Sequence, residues 1–133
     1  MKRTAGFVIS LLALLTLAFV TSTKAETVQA ALLLSPANEV PPVTGIAASG
    51  AFQITVTVTR DTNGAITGGS VRFLGNVSFP GNVIVTGLHI HEGSATVAAG
   101  VVINTGLSGS NTMTFASGVG IIDLTVQVND SHT

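Results

Sequence analysis

From Ala51 to Thr59 the chain alternates without a break: Phe52, Ile54, Val56 and Val58 fall on one side, Gln53, Thr55, Thr57 and Thr59 on the other. Successive strand residues point to opposite faces, so the pattern predicts a β-strand with one buried and one wet side. Asp61-Thr62-Asn63-Gly64 predicts a hairpin turn, since Asn-Gly tolerates the positive φ that tight turns require. Ala65–Leu74 is the expected return strand, with Val71 and Phe73 inward, Arg72 outward and a bulge at Gly68-Gly69. Phe79-Pro80-Gly81-Asn82 predicts the next turn, and Val83–His91 a further strand carrying Ile84, Leu88 and Ile90 toward the core. Short strands follow at Val101–Asn104 and Thr112–Ala116, between small-residue loops at Gly93–Gly100 and Thr105–Asn111. Gly120–Val128 alternates again, with Ile122, Leu124, Val126 and Val128 on one face. Val28–Leu34 fits a helix or a strand by pattern alone; its place directly before Ser35-Pro36 favours a strand.

Short strands separated by turn chemistry predict an all-β, antiparallel β-sandwich of about seven or eight strands in one domain. Its expected core is Phe52, Ile54, Val56, Val58, Phe73, Ile84, Leu88, Ile90, Leu124 and Val126. If no strand follows Val128, Gly120–Val128 carries an unpaired edge guarded only by Asp123 and Asp130, and either self-association through this C-terminal edge strand or poor stability of the isolated domain is expected.

The amino terminus breaks this pattern. Lys2 and Arg3 precede an apolar run, Ala5–Val20, and then Thr21-Ser22-Thr23-Lys24-Ala25. A basic start, an apolar stretch and small residues before a cut form the signature of a secretory signal peptide, here residues 1–25 with cleavage after Ala25. The run falls short of the roughly 20 residues of a comfortable membrane span. The expected product is a domain over 26–133, secreted to the extracellular space or periplasm, with no membrane anchor after cleavage. That domain keeps Arg60 and Arg72 against Glu26, Glu39, Asp61, Glu92, Asp123 and Asp130, so it has no basic patch and nucleic acid is excluded as a partner. The chain has no cysteine, which removes disulfides and thiolate chemistry. Asn76-Val77-Ser78 and Asn129-Asp130-Ser131 match the N-glycosylation pattern, which matters only in a pathway that glycosylates.

Gly87-Leu88-His89-Ile90-His91-Glu92-Gly93 carries the one unusual constellation. Histidines at i and i+2 of a strand share a face, their Cα atoms ~6.7 Å apart, and two such imidazoles can offer nitrogen ligands to copper or zinc. A stable site takes three or four ligands; His132 lies at the chain end, Glu92 alternates to the other face unless the strand ends at His91, and Asp123 would have to come from a neighbouring strand. The alternative is a pair of surface imidazoles that hydrogen-bond to loops and shape a turn. A second candidate is the segment Asn38, Glu39, Pro41 and Pro42. The prolines stiffen it and keep it out of a central strand. It is then either a structural loop fixed by Asn38 and Glu39 bonding to local backbone or a recognition loop. No Ser-centred elbow, phosphate loop or clustered carboxylates occur, so no enzyme activity and no cofactor are expected beyond copper or zinc at His89 and His91.

The ANEVPPV core of Leu34–Val43, Ser49-Gly50, Val77–Asn82, GLHIHEG at Gly87–Gly93 and Val101–Asn104 together resemble a CHRD (chordin) domain, over about Ala31 to the chain end. The resemblance implies an extracellular, non-enzymatic binding or structural module whose partner is an extracellular protein or surface polymer. It further implies a sandwich similar to copper/zinc superoxide dismutase and immunoglobulin-like domains. The G-x-H-x-H segment of that dismutase binds copper, which would make His89 and His91 copper-side ligands; the remaining ligands have no match here. Members usually continue to an ending similar to G-x-I-R-G-Q, whereas this chain stops at Asp130-Ser131-His132-Thr133, as if truncated before a closing strand.

Overall fold

In the computed structural model, residues 23–94, 97 and 99–128 are described; the part of the expected signal peptide before Thr23, and Asn129, Asp130 and His132, lie outside them. Eight strands follow in order: β1 (Lys24–Leu34), β2 (Ser49–Arg60), β3 (Ile66–Ser78), β4 (Val83–Val85), β5 (His89–His91), β6 (Val101–Asn104), β7 (Met113–Phe115) and β8 (Val119–Val128). The fold is all-β with antiparallel pairing throughout. A four-stranded sheet runs β1-β2-β3-β8, and two ribbons, β4-β7 and β5-β6, stand apart from it.

Register explains why one face of the large sheet is the core. Leu32, Phe52, Gly75 and Ile122 lie in one row across the four strands; Ala30, Ile54, Phe73 and Leu124 form the next; Val28, Val56, Val71 and Val126 the third. Phe52, Ile54, Val71, Phe73, Val77 and Ile122 form the buried cluster. Phe79, Leu88, Ile90, Ile103, Met113 and Phe115, all from the chain between β3 and β8, pack against it as the covering layer of a sandwich-like arrangement. Phe52 lies over Gly75, where an added Cβ would sit 2.5 Å from the ring; the missing side chain makes room for the aromatic.

The opposite face is wet. Gln53 Nε2 donates to Gln29 Oε1 at 3.2 Å, and Arg72 grips Asp123 through two bonds of 2.8 and 2.7 Å. Those bonds hold the Asp123 carboxyl below its ordinary pKa and raise that of Arg72.

Several expectations need correction. Val83–His91 is not one strand: β4 pairs with β7 and β5 with β6, with Thr86-Gly87-Leu88 between them. Each half answers to a different neighbour, so Ile84 does not share the inward face of Ile90. It stands 61% exposed rather than in the core. Val56, Leu88, Ile90, Leu124 and Val126 pack against the buried cluster as expected, at half burial, whereas Val58 is half-buried without joining it. The bulge falls one residue earlier than Gly68-Gly69: Thr59 faces Gly68 and Arg60 faces Ile66, leaving Thr67 as the extra residue. In the hairpin turn only Gly64 takes a positive φ, 84°, and Asp61 Oδ1 accepts from the Asn63 and Ala65 amides at 2.8 and 2.9 Å. The first apolar segment is a strand, and it begins at Lys24 rather than Val28.

Cover is uneven. Val71 is buried, yet Val28 in the same row is 66% exposed, because the covering layer spans the middle strands and leaves β1 bare. Among the described residues β1 and β8 each pair on one side only, so both are sheet edges.

Phe73 is 1% exposed, so Phe73→Ala should cost about 3–5 kcal/mol in urea unfolding of the chain from Glu26. Ile84→Ala should cost under about 1 kcal/mol; equal losses would contradict the assigned inner face. The Arg72 bonds depress the folded pKa of Asp123. Their contribution is therefore present above the unfolded carboxylate pKa of about 3.9 and lost as pH falls through the lower folded value. Arg72→Met should show a shallower loss of stability below about pH 5 than wild type in acid titrations followed by circular dichroism.

Candidate functional site

The connection between β1 and β2 is shaped by its prolines and by Ser35. Pro36–Asn38 forms a single 3-10 turn; Ser35 Oγ accepts from the Ala37 amide at 3.3 Å, and the Val43 amide donates to Pro36 O at 2.9 Å. The Val40–Pro41 peptide is cis. Ser35 and backbone bonds therefore hold this loop, and the Asn38 and Glu39 side chains do not supply the local bonds expected of them. Both residues are exposed.

The histidine pair sits on β5. Ile90 between them packs toward the core, and His89 and His91 are exposed. Their rings lie 6.1 Å apart between centroids and almost perpendicular, at 85°. His91 Nδ1 lies 2.8 Å from the Ala99 carbonyl. A carbonyl only accepts, so Nδ1 carries the hydrogen and, in the neutral ring, the lone pair is on Nε2. Gly87 gives His89 room: a Cβ there would sit 2.8 Å from the His89 Cε1 atom.

These two features meet. Leu34, Ser35, Pro36, Glu39 and Val43 form one wall of a cavity of about 450 Å³ whose other wall includes Leu88, His89 and His91. Phe52, Val77 and Ile122 floor it from the large sheet. A second depression, about 280 Å³, lies between Asn38, Glu39 and Val40 on one side and His91, Glu92 and Gly93 on the other. Pro41 and Pro42 line neither. Their rings set the path of the loop whose neighbours do.

As a metal centre the site is incomplete. Among the described residues no group of three histidine or carboxylate side chains is placed to hold an ion. Asp123 is tied to Arg72 on the far face of the large sheet, and so cannot complete the pair. Sequence reasoning singled out the loop and the histidines separately. The position of Glu92 turns on where the strand ends: β5 ends at His91, and Glu92 lines the smaller depression with Asn38 and Glu39.

Compared with known proteins, the chain matches no family model, no curated protein and no solved structure.

Proposed function

We propose that this is a secreted, non-enzymatic binding module of the chordin-domain type, and that its ligand site is the groove between the Ser35–Val43 loop and β5. One observation carries the reading: the two segments on which the resemblance chiefly rests, distant in sequence, border a single cavity. The ligand is an extracellular protein or surface polymer, taken up on an apolar floor with a polar rim. In support of a non-enzymatic role, the Ser35 hydroxyl at the rim is spent on its own loop. Cleavage after Ala25 would take Lys24 and Ala25, with the Lys24–Glu26 pair, from the start of β1 and leave Glu26 its 3.3 Å ion pair with Arg60. No helix among the described residues is long and apolar enough to cross a membrane.

A second reading, copper or zinc binding, draws on the His91–Ala99 hydrogen bond, which presents Nε2 as metal-bound histidines do. The pair would supply two ligands, and the rest would have to come from water or a partner.

Binding of the purified protein to the surface of producing cells, read by flow cytometry, should fall at least tenfold in Val43→Asp and be unchanged in Arg72→Met on the opposite face; equal binding by all three would contradict the site. Calorimetric titration with Cu(II) and Zn(II) should show no sub-micromolar affinity; such affinity, abolished in His89→Ala/His91→Ala, would establish the second reading instead. We further propose that β8 pairs with β8 of a second copy, since it lies at a sheet edge and its one carboxylate is engaged by Arg72. Light scattering should give twice the monomer mass, and a monomer at high micromolar concentration would refute the pairing.

A further inference from the structure

Pairing off the charges leaves two carboxylates over. Among the described residues, Arg60 holds Glu26, joined there by Lys24 until cleavage after Ala25 removes it, and Arg72 holds Asp123. Asp61 caps its own turn. Glu39 and Glu92 have neither a cation partner nor a side-chain hydrogen bond among those residues. They come from separate halves of the chain, yet both line the smaller depression, with His91 beside them. Glu39 and His91 also line the apolar cavity, so the two hollows adjoin. Among the described residues no lysine or arginine lines either one.

The surface is thus an apolar groove opening onto a rim of uncompensated negative charge. We propose that it docks a segment of a partner protein presenting a bulky apolar side chain beside a lysine or arginine. The apolar side chain enters between Pro36, Val43, Phe79 and Leu88; the cation lies along Glu39 and Glu92. A bare metal ion fits less well, because no three ligands converge. A guanidinium or ammonium on a flexible stem can meet carboxylates that do not converge on one point. An anionic polymer would meet like charge, as Arg60 and Arg72, the cations that cleavage after Ala25 leaves, are already engaged elsewhere. In such a site apolar burial supplies most of the affinity, and the rim charges set partner choice and association rate.

This inference rests on the groove being the binding site and adds the chemistry of the partner. The test is an array of peptides with the frame Gly-Ser-Gly-X-Z-Gly-Ser-Gly, X and Z each running over all amino acids, probed with the secreted protein and followed by anisotropy titration of the strongest binders. Peptides pairing a large apolar residue with Lys or Arg should bind best. Glu39→Gln and Glu92→Gln should each weaken them about two- to five-fold, with circular dichroism unchanged. Preference for acidic or uncharged pairs, no binding anywhere on the array, or full binding by the Glu39→Gln/Glu92→Gln double variant would overturn the proposed chemistry. Val43→Asp separates the two levels. If it abolishes binding while the glutamates do not matter, the groove stands and the cationic partner falls; if it too changes nothing, both fall.

Discussion

The four-stranded sheet has an apolar face that must be covered, and most of the architecture follows from that constraint. Phe52, Ile54, Val71, Phe73, Val77 and Ile122 are all on that face. Burying a large apolar side chain is worth about 1.5–3 kcal/mol, so leaving the face open would forfeit most of what holds a domain of this size together. The hydrophobic cover comes from the chain between β3 and β8. That chain forms ribbons only three or four residues long. Two-stranded ribbons of this kind are marginal alone and persist by lying on the sheet.

This dependence places the candidate site. β5 is held down by Ile90, which sends His89 and His91 to the outer side, and Leu88 brings the preceding segment onto the core. The β1–β2 connection emerges at the same end of the sheet, because Leu34 pairs with Gly50 where β2 begins. Pro36, Pro41 and Pro42 deny that connection the amide donors a strand would use, so it stands as a wall rather than adding to the sheet. A groove with an apolar floor remains between the two, and its polar rim is built from residues that have no part in the core.

Where burial is one-sided and regular, the fold was legible in the sequence. β2 and β8 follow directly from their alternation, and Arg72 from its place between Val71 and Phe73. Legibility failed where pairing, not period, decides. Nothing in Val83–His91 says that its halves take different partners, so Ile84 was assigned inward with Ile90. The extra residues Thr67 and, in β6, Val102 depend on the opposing strand. Both halves of the site were visible as unusual local composition, the prolines in one and the histidines in the other. Their meeting, and the pairing of Glu39 with Glu92 across the rim, are tertiary facts with no local signal.

The binding groove exists only if the loop and β5 form one site, and a spin label tests this most directly. The chain has no native cysteine, so Glu92→Cys carrying a nitroxide labels one point, and paramagnetic broadening of amide NMR signals reports what lies near it. The amides of Asn38, Glu39 and Val40 should broaden about as strongly as that of Gly100, whose carbonyl accepts from the residue 92 amide. Asn63 and Gly64, ~35 Å away along β2, should be untouched. Sharp signals from Asn38–Val40 beside a broadened Gly100 would mean that the loop and β5 do not share a groove.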